Sequence, residues 1–248
     1  MRFIFRFMLL VASLALSIFP ASTCLAQSAV LSPNAPPSDQ QLTSAHCIIG
    51  EEKPLPGDYY YCLGSMVYGE HQYANARRFF TTAASWASKP AEFVLGIMAL
   101  DGDHQPRDVP LALAWLSLAS QRPSSRFEQA YDQLLGQSSS QDRSQEKRLL
   151  SIMRLTYADD VAANRAEQRY QQGMDAMRRI NNGGSDYCME GMIDISTLSG
   201  GAIPNPEECP KVEEVMNAID KASVNVFDGW AGHVTGSSRQ NASRSNQK

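Results

Sequence analysis

No Cys-x-x-Cys and no Gly-x-Ser-x-Gly occurs in this chain of 248 residues. The first absence argues against a thioredoxin-like or zinc-ribbon centre, and the second removes the usual hydrolase elbow. Histidine is scarce: His46, His71, His104 and His233 are the whole set, and no two stand at helical or turn spacing beside a carboxylate. A zinc site needs such a grouping, so no metal is expected. Asp101, Asp103 and His104 share one stretch, but no glutamate closes a twelve-residue calcium frame, and it reads as a polar loop. The adjacent pairs Asp159-Asp160 and Glu207-Glu208 point apart on a helix and read as solvated helix-start charges. No acid/base constellation emerges, so neither catalysis nor a cofactor is expected. Basic residues are also in deficit. The formal charge is −4, which argues against a nucleic-acid partner.

Long apolar runs are missing too, with one exception. Met8–Phe19 is apolar and follows Arg2 and Arg6, the order of charges and hydrophobicity found in a secretory signal. The run is too short to span a bilayer comfortably. Leu25-Ala26-Gln27 places cleavage after Ala26, and loss of two arginines with no acid takes the charge from −4 to −6. Acylation of Cys24 is the less favoured alternative, because Ala21-Ser22-Thr23 lacks a lipobox leucine. The chain is therefore expected to be exported, to periplasm or medium, with no integral membrane segment. Four cysteines remain: Cys47, Cys62, Cys188 and Cys209. An even count in an exported chain reads as two disulfides with three connectivities, of which the sequence-local pairs Cys47–Cys62 and Cys188–Cys209 are preferred.

What is present is helical punctuation. Ser88 and Pro90 open a helix whose stripe is Ala91, Val94, Leu95 and Met98, and Asp101-Gly102 closes it. Asp108 and Pro110 open a second, with Ala112, Trp115, Leu116 and Ala119. Gly96 costs about 1 kcal/mol against Ala in mid-helix, which is consistent with close helix–helix approach. A degenerate copy precedes them. Tyr59-x3-Leu63-Gly64-x-Met66 matches Ala91-x3-Leu95-Gly96-x-Met98 at an offset of 32, and Ala76, Phe79 and Ala83 match Ala112, Trp115 and Ala119 at 36. Tyr131-x3-Leu135-Gly136 echoes the signature a third time, followed by helices over Ser144–Leu155 and Tyr157–Ile180.

This pattern, from Ala91-x3-Leu95-Gly96-x-Met98 through Pro106-x-Asp108 to Ala112-x2-Trp115 and Ala119, resembles a Sel-one-like repeat, a subclass of the tetratricopeptide repeat. His104-Gln105 stand where the family usually has Gly-Val. The resemblance implies an all-α fold, a short right-handed α-solenoid of stacked antiparallel helix pairs, and a non-enzymatic adaptor that binds a protein or peptide. The aromatic run brings in Tyr60, Tyr61, Tyr68 and Tyr73 as candidate peptide-binding residues, with packing against an N-terminal cap as the alternative. A second functional reading is a cell-envelope enzyme or enzyme inhibitor acting on peptidoglycan-related ligands.

Five regions follow: a signal at 1–26, a disordered linker at 27–44 and a helical repeat domain at 45–182. A small disulfide-linked α+β appendage at 184–235 and a disordered tail at 236–248 complete the chain. In the appendage, Ile193-Asp194-Ile195 has β character, Pro210–Ser223 reads as a helix, and Asp228-Gly229 marks a turn.

Overall fold

The computed structural model describes residues 37–45, Cys47, 51–182 and 212–233. Every regular element among them is helical: α1 (Asp39–Thr43), α2 (Pro56–Gly69), α3 (Tyr73–Ser85), α4 (Lys89–Asp101) and α5 (Val109–Ala119) come first. They are followed by α6 (Glu128–Gln137), α7 (Ser140–Tyr157), α8 (Asp159–Asn182) and α9 (Val212–Val226). The expected strand near Ile193, together with Cys188, Cys209, Glu207-Glu208, the leader and the C-terminal tail, lies outside the described residues.

Local chemistry sets the helix ends. Proline occupies the first turn of α2, α4 and α5, where its missing N–H is no loss. The Asp108 carboxylate accepts the Leu111 N–H at 2.9 Å and starts α5. Gly102 ends α4 at φ +71°, a left-handed conformation that glycine adopts freely. Ser139 and Asp142 form a capping box that opens α7, so the helix begins at Ser140 and not at the expected Ser144. The same device, Ser38 with Gln41, builds α1 within the presumed linker. That Ser-x-x-Gln signature was visible in the sequence.

Two helical hairpins, α2–α3 and α4–α5, carry the main core. In each, a glycine lies against a large side chain of the returning helix. A Cβ on Gly64 would fall 2.6 Å from the Phe80 ring, and one on Gly96 would fall 2.9 Å from Leu116 Cγ. Gly64 and Gly96 correspond at the offset of the first helices, Phe80 and Leu116 at that of the second. Phe80, Leu95, Met98, Trp115 and Leu118 fill the space between the hairpins, with the Trp115 ring edge-on to Tyr157 of α7 at 4.8 Å. α6 and α7 both pack on α5. The third Leu-Gly echo does not repeat this geometry. Gly136 has open space around its Cβ position, and Leu134 rather than Leu135 is the buried residue.

The hairpin turns meet at one end of the helical body. Tyr68 donates to Asp103 at 2.6 Å, Arg77 donates to Gln105 at 3.1 Å, and the Tyr73 ring stacks on His104 at 3.3 Å. The opposite ends are covered by α8 and α9. Leu55, just before α2, is buried with Tyr170, Met174 and Met177 of α8 and Val215, Ile219 and Phe227 of the C-terminal segment. Arg165 donates to the Ser85 carbonyl and lies over the Trp86 ring. α8 therefore returns beneath the first hairpin instead of capping an open row. α9 belongs to the same core. An independent appendage does not describe α9, which also runs three residues beyond Ser223, to Val226. The Asp228-Gly229 turn is present, with Gly229 at φ +72°.

A buried ion cluster fastens these parts. Lys89 reaches Glu92 at 3.0 Å, Asp159 at 3.0 Å and the Leu118 carbonyl at 2.8 Å. Arg122 bonds Asp159 at 3.0 Å and the carbonyls of Val226, Asp228 and Ala87 at 2.7, 3.1 and 3.2 Å. Asp159, expected as a solvated helix-start charge, is instead mostly buried between two cations, whereas its neighbour Asp160 is exposed. The physical reason is long range: Lys89 and Arg122 converge on it from other elements.

Two outcomes test this packing. Gly96→Ala should destabilise the fold by about 1–3 kcal/mol despite its better helix propensity, because the added methyl drives into Leu116. Arg122→Met should cost about 3–5 kcal/mol, since it leaves Asp159 with Lys89 alone and takes the donor from three carbonyls. Denaturant melts measure both, and a variant within error of wild type would refute the corresponding contact.

Candidate functional site

The four expected tyrosines do not share one surface. Tyr61 and Tyr68 lie seven residues apart, two turns of α2, and both line an apolar groove of about 350 Å³. Tyr60 is turned off that face and stacks on Phe79 at 6.1 Å. Tyr73 is held at the hairpin turns, between His104 and a 2.8 Å hydrogen bond with His71. One residue of helix rotates a side chain by about 100°, which separates Tyr60 from Tyr61.

The groove runs between α2 and α4. Its floor includes Phe80, Val94, Ile97 and Met98, and its walls include Phe93, Phe127, Leu42 and Pro37. Val94, assigned from periodicity to the inner stripe, is half-buried on this floor. Phe93, Ile97 and Phe127 were not anticipated, because their role depends on how the hairpins sit side by side. Phe93 stacks on Phe127 at 4.8 Å, and the Arg126 guanidinium lies over Phe127 at 4.8 Å. Arg126 is exposed and makes no ion pair among the described residues. Asp103 stands on the groove wall, bound to Tyr68 and 3.3 Å from His104. Burial and the Asp103 carboxylate hold the Tyr68 hydroxyl well above the usual phenol range, so it stays a hydrogen-bond donor.

Tyr61, Pro90, Arg126 and Phe127 also border a second, more polar cavity of about 550 Å³. There the wall is Asp58, Ser88, Lys89, Arg122 and Asp228. The two cavities thus share four lining residues, one cavity being apolar and the other more polar. Behind Asp58 lies Glu51, a carboxyl that is only 6% exposed. Burial first, then repulsion from Asp58 and Glu52, pushes Glu51 up to about 8. Glu92, fully buried, is pushed up to about 7 by burial, against the opposing pull of Lys89. Cys47 and Cys62 are joined by a disulfide with Cα atoms 5.6 Å apart, tying the segment before α2 onto that helix. The second expected bridge lies outside the described residues.

Histidines meet carboxylates at two places among the described residues. His71, His104, Asp39 and Asp103 gather around Tyr73, but no three His, Cys, Asp or Glu among the described residues could hold a metal ion. His233 bridges Glu167 at 2.6 Å and Ser223 at 3.0 Å, an order reminiscent of a hydrolytic triad. Ser223 is completely buried, and its hydroxyl donates to the Asp220 carbonyl at 2.7 Å. A nucleophile must meet substrate, so this set is a clasp between α8 and the end of α9.

Comparison with protein-family models, curated proteins and solved structures finds no match. The function is therefore argued from the groove itself.

Glu51 gives a test of the buried carboxyls. Its folded value of about 8 exceeds the ordinary 4.5, so the folded protein holds a proton that the unfolded chain releases. That stabilisation is complete below the unfolded value and is lost as pH rises through about 8. Glu51→Gln should therefore lose less stability than wild type between acid and alkaline pH. Urea midpoints on both sides of that window measure it, and a wild-type–variant difference constant with pH would rule it out.

Proposed function

We propose that this chain is an exported, non-enzymatic Sel-one-like repeat protein that binds an apolar segment of a protein or peptide. Export is supported by the basic-then-apolar order of residues 2–19 and the disulfide at Cys47–Cys62. The repeat reading is supported by the matched pairs Gly64 with Phe80 and Gly96 with Leu116, and by the histidines His71 and His104, each with positive φ in its hairpin turn. On this reading α2–α3 and α4–α5 are tandem units of a short solenoid, and the closing helices α8 and α9 complete it.

One observation carries the binding role: the apolar groove between equivalent first helices, lined by Tyr61, Tyr68, Phe93, Val94 and Ile97. Rigid aromatic rings lose little entropy on binding and offer both apolar faces and hydroxyl donors. Arg126 and Asp103 place opposite charges beside the groove, which would orient a ligand carrying complementary charges.

Peptides selected from a random library on the wild-type protein should be enriched in aliphatic and aromatic side chains. Ile97→Arg puts a charge on the groove floor and should weaken their binding at least about tenfold. Circular dichroism provides the folding control. Peptides that bind Ile97→Arg as tightly as wild type would place recognition elsewhere.

A further inference from the structure

Three helices begin around the polar cavity. Asp58 in the first turn of α2, Ser88 and Lys89 at the start of α4, and Arg126 just before α6 all line its volume of about 550 Å³. None of the three helices has a side-chain cap hydrogen bond. The N–H groups of Lys89 and Ala91, in the first turn of α4, have no carbonyl within the helix to bond, and such a helix start carries partial positive charge.

Ser88 supplies an independent observation. It is only 5% exposed, yet its hydroxyl caps nothing and makes no hydrogen bond among the described residues. That oxygen is not sealed, as Glu92 Oε1 is, so it opens on the cavity that Ser88 lines. Buried hydroxyls are rarely left without a partner. Ser124, on the same wall, is held at φ +57°, a conformation that gathers at ligand sites. Charge adds to this. Lys89 and Arg122 use their donors on Glu92, Asp159 and backbone carbonyls. Burial pushes Glu92 up to about 7, so near neutral pH it is only partly ionised and this cluster keeps a positive surplus. Arg126 is exposed and without an ion pair among the described residues. Two carboxyls share the wall. Asp228 is exposed, and burial holds Asp58 above the usual carboxylate range, which favours sharing a proton with an oxyanion.

We propose that this cavity binds a phosphate group, seated at the N-terminus of α4 on the Ser88 hydroxyl and the Arg126 guanidinium. Helix starts of this kind suit phosphate, because N–H groups and dipole both favour the anion. The donors stand on separate elements, α4 and the segment before α6. A phosphate group has at least three acceptor oxygens to meet them, whereas a carboxylate has two in one plane. The cavity is larger than the ion and leaves room for the body of a phosphate ester. The site does not rest on the peptide reading of the apolar groove.

The test is titration of the full-length protein with inorganic phosphate, phenyl phosphate or acetate at fixed pH and ionic strength, read by amide shifts in two-dimensional NMR and by calorimetry. Inorganic phosphate should give saturable shifts at Lys89, Ala91 and Ser124. Phenyl phosphate that binds more tightly than the inorganic ion identifies an ester as the ligand, and equal affinity identifies the free ion. Ser88→Ala and Arg126→Gln should each weaken binding at least about threefold, and together at least about tenfold, with thermal melts like wild type. Acetate bound as tightly as phosphate overturns the proposal. So do shifts that grow without saturating, or a double variant that binds phosphate like wild type. None of the probes is a peptide, so these outcomes leave the groove to its own test.

Discussion

Arg122 is the residue on which the arrangement of helices depends. Its guanidinium spans four separate segments: the α3–α4 connection at Ala87, the start of α8 at Asp159, the end of α9 at Val226 and the turn at Asp228. A planar cation with five donors suits this task, whereas a point charge could satisfy only part of it. Lys89, Glu92 and Asp159 complete the cluster. Such a buried cluster is poor evidence of extra stability, because desolvation offsets the attraction. Its effect is positional: moving α8 would take Asp159 from Lys89 and Arg122, and moving α9 would take the Val226 carbonyl from Arg122.

That constraint explains why the groove stays open. α8 and α9 are drawn to the ends of the hairpins where α2 and α4 begin and α3 and α5 finish. They leave the flank between α2 and α4 uncovered, where Tyr61, Tyr68, Phe93 and Ile97 are exposed in part. The opposite ends are locked by Tyr68 with Asp103 and Tyr73 with His104. Both walls of the groove are thus held from above and below, which lowers the ordering cost of binding.

Much of this was legible because it is local. The caps at Asp108 and Gly102, the prolines in first turns and the repeated glycines follow from short-range sterics and hydrogen bonding. The two hairpins were therefore readable, and so was the close approach at Gly96, now seen against Leu116. Where reading failed, the signal was either present and passed over, as in Ser38-x-x-Gln41, or absent. The third Leu-Gly echo around Gly136 looked like the others, yet no returning helix comes near it. A motif records a residue type, not the neighbour that gives it meaning.

The tyrosines divide the same way. Helical periodicity already places Tyr61 and Tyr68 on one face and Tyr60 on another, so their separation is a property of the sequence. That this face borders Phe93, Ile97 and Arg126 is a property of how α2 and α4 lie together. The sequence by itself determined the ends of α4 and the start of α5 and the pairing of α2 with α3 and of α4 with α5, all set within a few residues. The tertiary structure alone decided that Asp159 is buried rather than solvated and that α9 is core rather than appendage. It also decided that Ile152 and Leu155 face outward. Those outcomes turn on contacts between residues dozens apart, where burial and Coulomb energy depend on distances that no local pattern encodes.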